Sequence, residues 1–150
     1  MALFFEEHIV ARYWLMKSEP DVYGWQELVE EGEGTWDGVR NHKAKNNLAA
    51  MEVGDLAFFY HSNIGREIVG IARITVANIT DPTDPTGKWA AVKLKPVELL
   101  PRPVTLKEVK ADPALAEMEL VKLMRLSVCE VRDTEWNHIL ELAKQPADQR

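Results

Sequence analysis

Between Leu56 and Val97 the chain offers three strand-like stretches with no helical repeat between them. Leu56 to His61 is an apolar run, Ser62 to Glu67 reads as a hairpin loop, and Ile68 to Val76 is a β-branched return strand. Asp81 to Gly87 carries two Asp-Pro steps and reads as a loop. Trp89 to Val97 alternates as a third strand, which Pro101 and Pro103 are expected to break. Strands that follow one another without crossover helices exclude a doubly wound parallel sheet. The expected class is α+β, a small curved sheet or open barrel with helices before and after it.

The flanks supply those helices. Tyr13 to Met16 is a short strand stopped at the polar corner Lys17-Ser18-Glu19-Pro20. Trp25 to Glu31 suits a helix with Trp25, Leu28 and Val29 on one face, ended by Gly32 and Gly34. Residues 35–41 read as a turn-rich loop, and 42–51 as a helix with Ala44, Leu48 and Met51 inward. Thr105 and Glu108 have the spacing of a capping box. Asp112-Pro113 can start a further helix to about Met118, Leu126 to Val131 suits a last strand, and Thr134 can cap a final helix. That last helix would bury Trp136, Ile139, Leu140 and Ala143. One domain is expected over 13–143, with an extension at 1–12 and a tail at 144–150.

Charge and cysteine content narrow the function classes. The net charge is -6, which argues against a protein held on nucleic acid mainly by phosphate neutralisation. The charge is uneven: residues 1–39 carry nine acids and two bases, residues 40–150 fifteen acids and sixteen bases. The single cysteine, Cys129, allows neither an intrachain disulfide nor a cysteine-rich zinc site. In a predicted strand it reads as a small residue filling a sheet. With no basic n-region before its apolar start and no apolar run long enough for a membrane span, a cytoplasmic protein without a membrane partner is expected.

The chain has no glycine-rich phosphate loop, no nucleophile elbow and no metal-spaced histidine pair. No cofactor or metal is expected. A hydrolase or nuclease using Asp37 and His61, with Ser62, is one reading, although adjacent His and Ser on a strand end point to opposite faces. A stronger signal is the gathering of polar and aromatic residues at element ends: Lys17-Ser18-Glu19, Trp36-Asp37, Arg40-Asn41 and His61-Ser62. Such a set can bind a planar heterocycle by stacking, by edge hydrogen bonds and by nearby cations on flanking phosphates.

Tyr13-Trp14-Leu15-Met16-Lys17-Ser18-Glu19-Pro20, followed by Trp36-Asp37-Gly38-Val39-Arg40-Asn41, closely resembles the EVE-domain family. Val53-Gly54-Asp55, Phe58-Phe59-Tyr60-His61-Ser62, Ile68-Val69-Gly70-Ile71-Ala72 and Arg125-Leu126-Ser127-Val128 extend the match over residues 13 to about 143. That family includes bacterial stand-alone proteins and the eukaryotic thymocyte nuclear protein. The resemblance implies a PUA-like small mixed β-barrel decorated with short helices, related to YTH domains. It implies a reader of a modified cytosine or adenine in DNA or RNA, and no enzyme. Its pocket would fall on Lys17, Ser18, Glu19, Trp36, Asp37, Asn41, His61 and Ser62, with Trp36 as a cage wall and Ser18 and Glu19 on the base edge. Phosphate contacts would fall on Arg40, Lys43, Lys45, Arg66 and Arg125. The segment His42-Lys43-Ala44-Lys45 is more basic than the family's usual wording. A module for a free nucleotide or a protein partner is the remaining alternative, the acidic residues 1–39 suiting a basic partner.

Overall fold

The computed structural model describes residues 12–146. Six strands form one mixed sheet: β1 (Tyr13–Ser18), β2 (Gly34–Trp36), β3 (Leu56–His61), β4 (Glu67–Thr80), β5 (Ala90–Thr105) and β6 (Val128–Val131). Their order across the sheet is β2-β5-β4-β3-β1-β6. β1 runs parallel to β3, and every other pairing is antiparallel. The helices are α1 (Pro20–Tyr23), α2 (Trp25–Glu31), α3 (His42–Ala50), α4 (Leu106–Ala111), α5 (Glu119–Lys122) and α6 (Asp133–Ala143), with a 3₁₀ turn at Pro113–Leu115. The α+β class is as expected. The barrel is corrected: β2 and β6 are outer strands with no ladder between them, so the sheet stays open.

β3 shows why its run is apolar throughout. Side chains alternate between faces along a strand, and here both faces are covered. Phe58 stacks on Trp136 of α6 with ring centroids 3.9 Å apart, and Tyr13 stacks on the same indole at 4.3 Å. Phe59 instead meets Trp25 and Trp36 edge to face, at 5.5 and 5.6 Å. The Phe59 face carries the candidate cleft, and the Phe58 face carries the closing helix.

Several expectations shift for physical reasons. β5 runs through Pro101 and Pro103, because β2 covers only Val92–Leu94 of its outer edge. Prolines on an uncovered edge have no ladder donor to lose. Both fall where the β4 register slips, Gly70 facing Leu99 and Ile68 facing Val104, so the chain bulges there rather than ending. The loop expected at 35–41 contains β2, three residues too short to show a period. Val29 is 44% exposed, so α2 buries only Trp25 and Leu28. The helix expected from Asp112-Pro113 is a 3₁₀ turn followed by α5. The last strand starts at Val128 rather than Leu126. α6 starts one residue before Thr134 and buries Leu142, with Leu140 half-buried. Cys129 is buried in β6, and burial pushes its thiol up to about 12, so it stays a protonated packing residue.

The capping box is formed as expected. Thr105 Oγ1 accepts from the Glu108 amide at 3.1 Å, and the Thr105 amide donates to Glu108 Oε1 at 3.0 Å. Arg102 also donates from Nη1 to Glu108 Oε1 at 2.9 Å and from Nη2 to the Leu142 carbonyl, tying α4 to α6. Burial works against the Glu108 charge, but the Arg102 and Thr105 bonds outweigh it and hold the carboxyl at about 2. A depressed carboxylate stabilises the fold above its unfolded value of about 4.3, and that stability is lost as pH falls through the folded value. Glu108→Gln is therefore expected to cost about 1–2 kcal/mol at pH 7. Its denaturant midpoint should also fall less than the parent's between pH 5 and pH 2. An acid limb as steep as the parent's would show that Glu108 is not part of it.

Candidate nucleic-acid interface

A cleft of about 500 Å³ opens on the Phe59 face where β1 ends and β2 leaves the sheet. β2 pairs Trp36 with Val92, which fixes the indole against Phe59 and the edge of Tyr23, 7% exposed. The chain then turns at Gly38 (φ 77) and climbs the cleft wall through Val39, Arg40 and Asn41 into α3. On the other side stand Lys17 and Ser18 at the end of β1, with Val22 and Tyr23 of α1. Tyr23 sits close over Gly34, where a side chain of any size would collide with its hydroxyl. That hydroxyl donates to Glu31, and its acidity is lowered by burial first and then by Glu31.

Six of the expected site residues line this cleft: Lys17, Ser18, Trp36, Asp37, Arg40 and Asn41. Each has a defined supply of hydrogen bonds. Ser18 Oγ donates to the Tyr23 carbonyl at 2.6 Å, leaving its lone pairs for a ligand donor. Asn41 Oδ1 caps α3 by accepting from the Ala44 amide at 3.0 Å, which leaves its NH₂ group. Lys17 Nζ donates to the Met124 carbonyl at 2.8 Å and lies 5.9 Å from the Tyr60 ring centroid. Its pKa is lowered by burial, partly offset by Cys129. Burial and then the Asp81 charge raise the Asp37 pKa, with Arg40 opposing. Asp37 thus presents a carboxyl that holds its proton more readily than a solvated one.

The other three expected pocket residues lie outside the cleft lining. Glu19 is exposed, and its carbonyl accepts from the Val22 and Tyr23 amides to start α1. His61 pairs with Ser18 in the β1–β3 ladder, and its Nε2 accepts from the Trp25 amide at 3.1 Å. That bond requires a neutral ring with its proton on Nδ1, consistent with a pKa lowered by burial. Ser62 donates its amide to the Ser18 carbonyl. His61 and Ser62 therefore brace the strand end that carries Ser18.

The basic residues divide among several places. Arg40 reaches Asp81 at 2.9 Å and lies over Trp89, with Lys45 5.6 Å from the same ring centroid. Lys43 pairs with Glu119 at 3.8 Å. Lys43 and Arg125 line a hollow that shares Asn41 with the main cleft. Arg66 lines another cleft, which shares no residue with the first. Among the described residues no group of three His, Cys, Asp or Glu could hold a metal ion, and no helix is long and apolar enough to cross a membrane.

Sequence reading missed Asp81, which holds the cleft wall in place. It is buried, and its two oxygens accept from the Gly38 amide, Arg40 Nη1, and the Thr83 amide and hydroxyl, at 2.6–2.9 Å. Burial opposes its charge, but these bonds overcome that and hold the carboxyl well below the usual range. Asp followed by Thr two residues on is the available signal, since this spacing closes a side-chain turn. Tyr23 and Ser127 also line the cleft and were not singled out.

The family model described as EVE domain matches residues 12–142. Rpa0253 of Rhodopseudomonas palustris, solved by NMR, superposes with a TM-score of 0.85 at 48% identity, covering 89% of this chain and 94% of its own. Thymocyte nuclear protein 1 of Mus musculus is 34% identical over 89% of this chain and 74% of its own length. The human THYN1 protein, solved in complex with 5-methylcytosine-containing DNA, superposes at 0.84 with 29% identity, over 91% of this chain and 99% of that one. A YTH domain of Zygosaccharomyces rouxii superposes at 0.52 over 91% of this chain and 86% of its own, and at 18% identity that likeness concerns the fold alone.

Proposed function

The chain belongs to the EVE-domain family, and from that premise we propose that it binds one modified base of a nucleic acid without reacting with it. The base leaves its stack and enters the cleft between Ser18, Tyr23, Trp36, Asp37 and Asn41. The observation that carries this reading is the composition of that one cleft. Two aromatic rings, a serine, an asparagine amide, a carboxyl and the cations Lys17 and Arg40 all line it. Its volume suits a small planar ligand.

Each group has a role the chemistry allows. Trp36 gives the base an apolar floor, Tyr23 stands edge to face beside it, and Val22 and Val39 can cover an added methyl. Burying a methyl is worth about 0.8 kcal/mol, too little for strong selectivity. Edge reading has to add the rest. Asp37 can accept from an exocyclic amine, or donate to a ring nitrogen when protonated. Ser18 accepts and Asn41 donates. The complex of the human relative makes 5-methylcytosine in DNA the first ligand to test. Hydrolysis by Asp37 and His61 is disfavoured, because the His61 Nε2 that would act as base already accepts from Trp25. We place the reader in the cytoplasm of a bacterial cell, and take residues 13–143 as its domain. Of the proposed flanks at 1–12 and 144–150, residues 1–11 and 147–150 lie outside the described residues.

Asp37→Asn tests the edge contact. It keeps the shape and removes the titrating proton. Preference for the modified over the unmodified oligonucleotide is expected to fall about tenfold or more, with little change in folding stability. Retention of the parent's preference would remove Asp37 from base reading.

A further inference from the structure

We propose that a second cleft, formed by Gly65, Arg66, Thr105, Lys107 and Lys110, holds the sugar-phosphate backbone of duplex DNA to one side of the flipped base. The proposal rests on the base-binding reading above and extends it to a second contact. The cleft measures about 630 Å³ and lies where the β3–β4 turn meets α4. The Leu106 amide donates to the Arg66 carbonyl at 2.9 Å, which holds the two walls together.

The sheet sets the distance between the clefts. Ser18 pairs with His61, His61 with Glu67, and Glu67 with Thr105, so one row crosses four strands from the first cleft to the second. Three strand spacings of about 4.8 Å put Ser18 of the first cleft about 14 Å from Thr105 of the second. That is about four base steps at 3.4 Å per step along one strand. A duplex seated with one base in the first cleft therefore passes the second within a short flank.

The charges are placed for phosphate. Arg66, Lys107 and Lys110 line one cleft, and none of them makes an ion pair among the described residues. Of the nearby acids, Glu67 lies at the cleft against Gly65 and offsets part of this charge, and Glu108 is held by Arg102 and the Thr105 cap. Three uncommitted cations in one cleft stand out on a chain of net charge -6. Backbone conformation supplies a separate observation. Gly65 has φ 89 and Arg66 φ 50, two left-handed residues in succession. The same turn uses Asn63 at φ 63, a residue that tolerates this region. Arginine in this region is more strained than asparagine or glycine would be.

The test compares the parent with Arg66→Asn/Lys107→Gln/Lys110→Gln on duplexes carrying one 5-methylcytosine, with flanks of two or eight base pairs. The parent should gain about tenfold or more in affinity from the longer flank, and the variant should gain almost none. The slope of log K against log salt should fall by about 2–3 in the variant. Its preference for modified over unmodified cytosine should equal the parent's, since the first cleft is untouched. Arg66→Asn alone should fold with at least the parent's stability, which separates lost contact from lost structure. A flank gain that persists in the triple variant overturns the proposal. A flank gain that responds to these residues only with an RNA duplex overturns the DNA assignment. Loss of modification preference in the parent itself overturns the base-reading proposal instead, and the flank comparison still decides this one.

Discussion

Asp81→Ala should unfold at markedly lower denaturant than the parent, by about 2–4 kcal/mol, and should lose base binding with it. The estimate follows from what the carboxylate holds. Four donors converge on it from two loops, and bonds to a charged acceptor are worth about 1.5–3 kcal/mol each before the freed donors find water. Three of those donors belong to neighbouring backbone or to Thr83, so the losses are not additive. Without Asp81, Gly38 and Arg40 lose their anchor and the cleft wall that carries Asp37 and Asn41 is free to move. The pH dependence has a defined sign. The folded carboxyl titrates below its unfolded value of about 3.9, so its contribution is complete above that pH and disappears as pH falls through the folded value. Asp81→Ala should therefore lose most stability near neutrality and converge on the parent in acid. Chemical denaturation at pH 7 and pH 3 checks both statements. Equal stability at pH 7 with intact binding would show that the wall stands without this anchor.

Trp36→Ala should be the most damaging change in the cleft, and mainly by unfolding it. The indole is 7% exposed and packs edge to face on Phe59. Removing a buried Trp costs about 3–5 kcal/mol, which lowers the melting temperature by about 6–20 °C in a chain of this size. Lost affinity in that variant would reflect lost structure as much as a lost ring. Trp36→Phe keeps an aromatic floor over Phe59 at a smaller cost, and it is the informative partner. The structure predicts that Trp36→Phe folds and binds with reduced affinity while still preferring the modified base. A Trp36→Ala protein that melts like the parent would contradict the floor role and return the ring to a cage wall.

These two residues also show what the sequence makes legible. Trp36 stood out as an aromatic residue beside Asp37 among the polar groups at element ends, and the cleft does contain it. Its degree of burial could not be read, because that depends on β2 pairing with β5 across more than fifty residues. Strictly local signals carried well: α2 begins and ends where expected, β3 matches residue for residue, and the Thr105–Glu108 box is closed. Long-range consequences did not. Prolines 101 and 103 looked like breakers because nothing local says that the strand bearing them is an uncovered edge. Asp81 looked like loop punctuation because its partners, Gly38 and Arg40, lie more than forty positions away. His61 and Glu19 were expected in the pocket on the strength of resemblance; neither lines the cleft, His61 accepting from the Trp25 amide and Glu19 lying exposed.

The central claim is that the cleft distinguishes a modified base from its parent base. The most direct test is a titration of the protein, followed by Trp emission, with matched duplexes differing only in one 5-methylcytosine, at a single stated salt concentration. The account predicts tighter binding of the modified duplex by about tenfold or more, with the difference unchanged when salt is raised and both affinities fall. Equal affinities that collapse together with added salt would contradict it, since phosphate contact alone would then account for all binding.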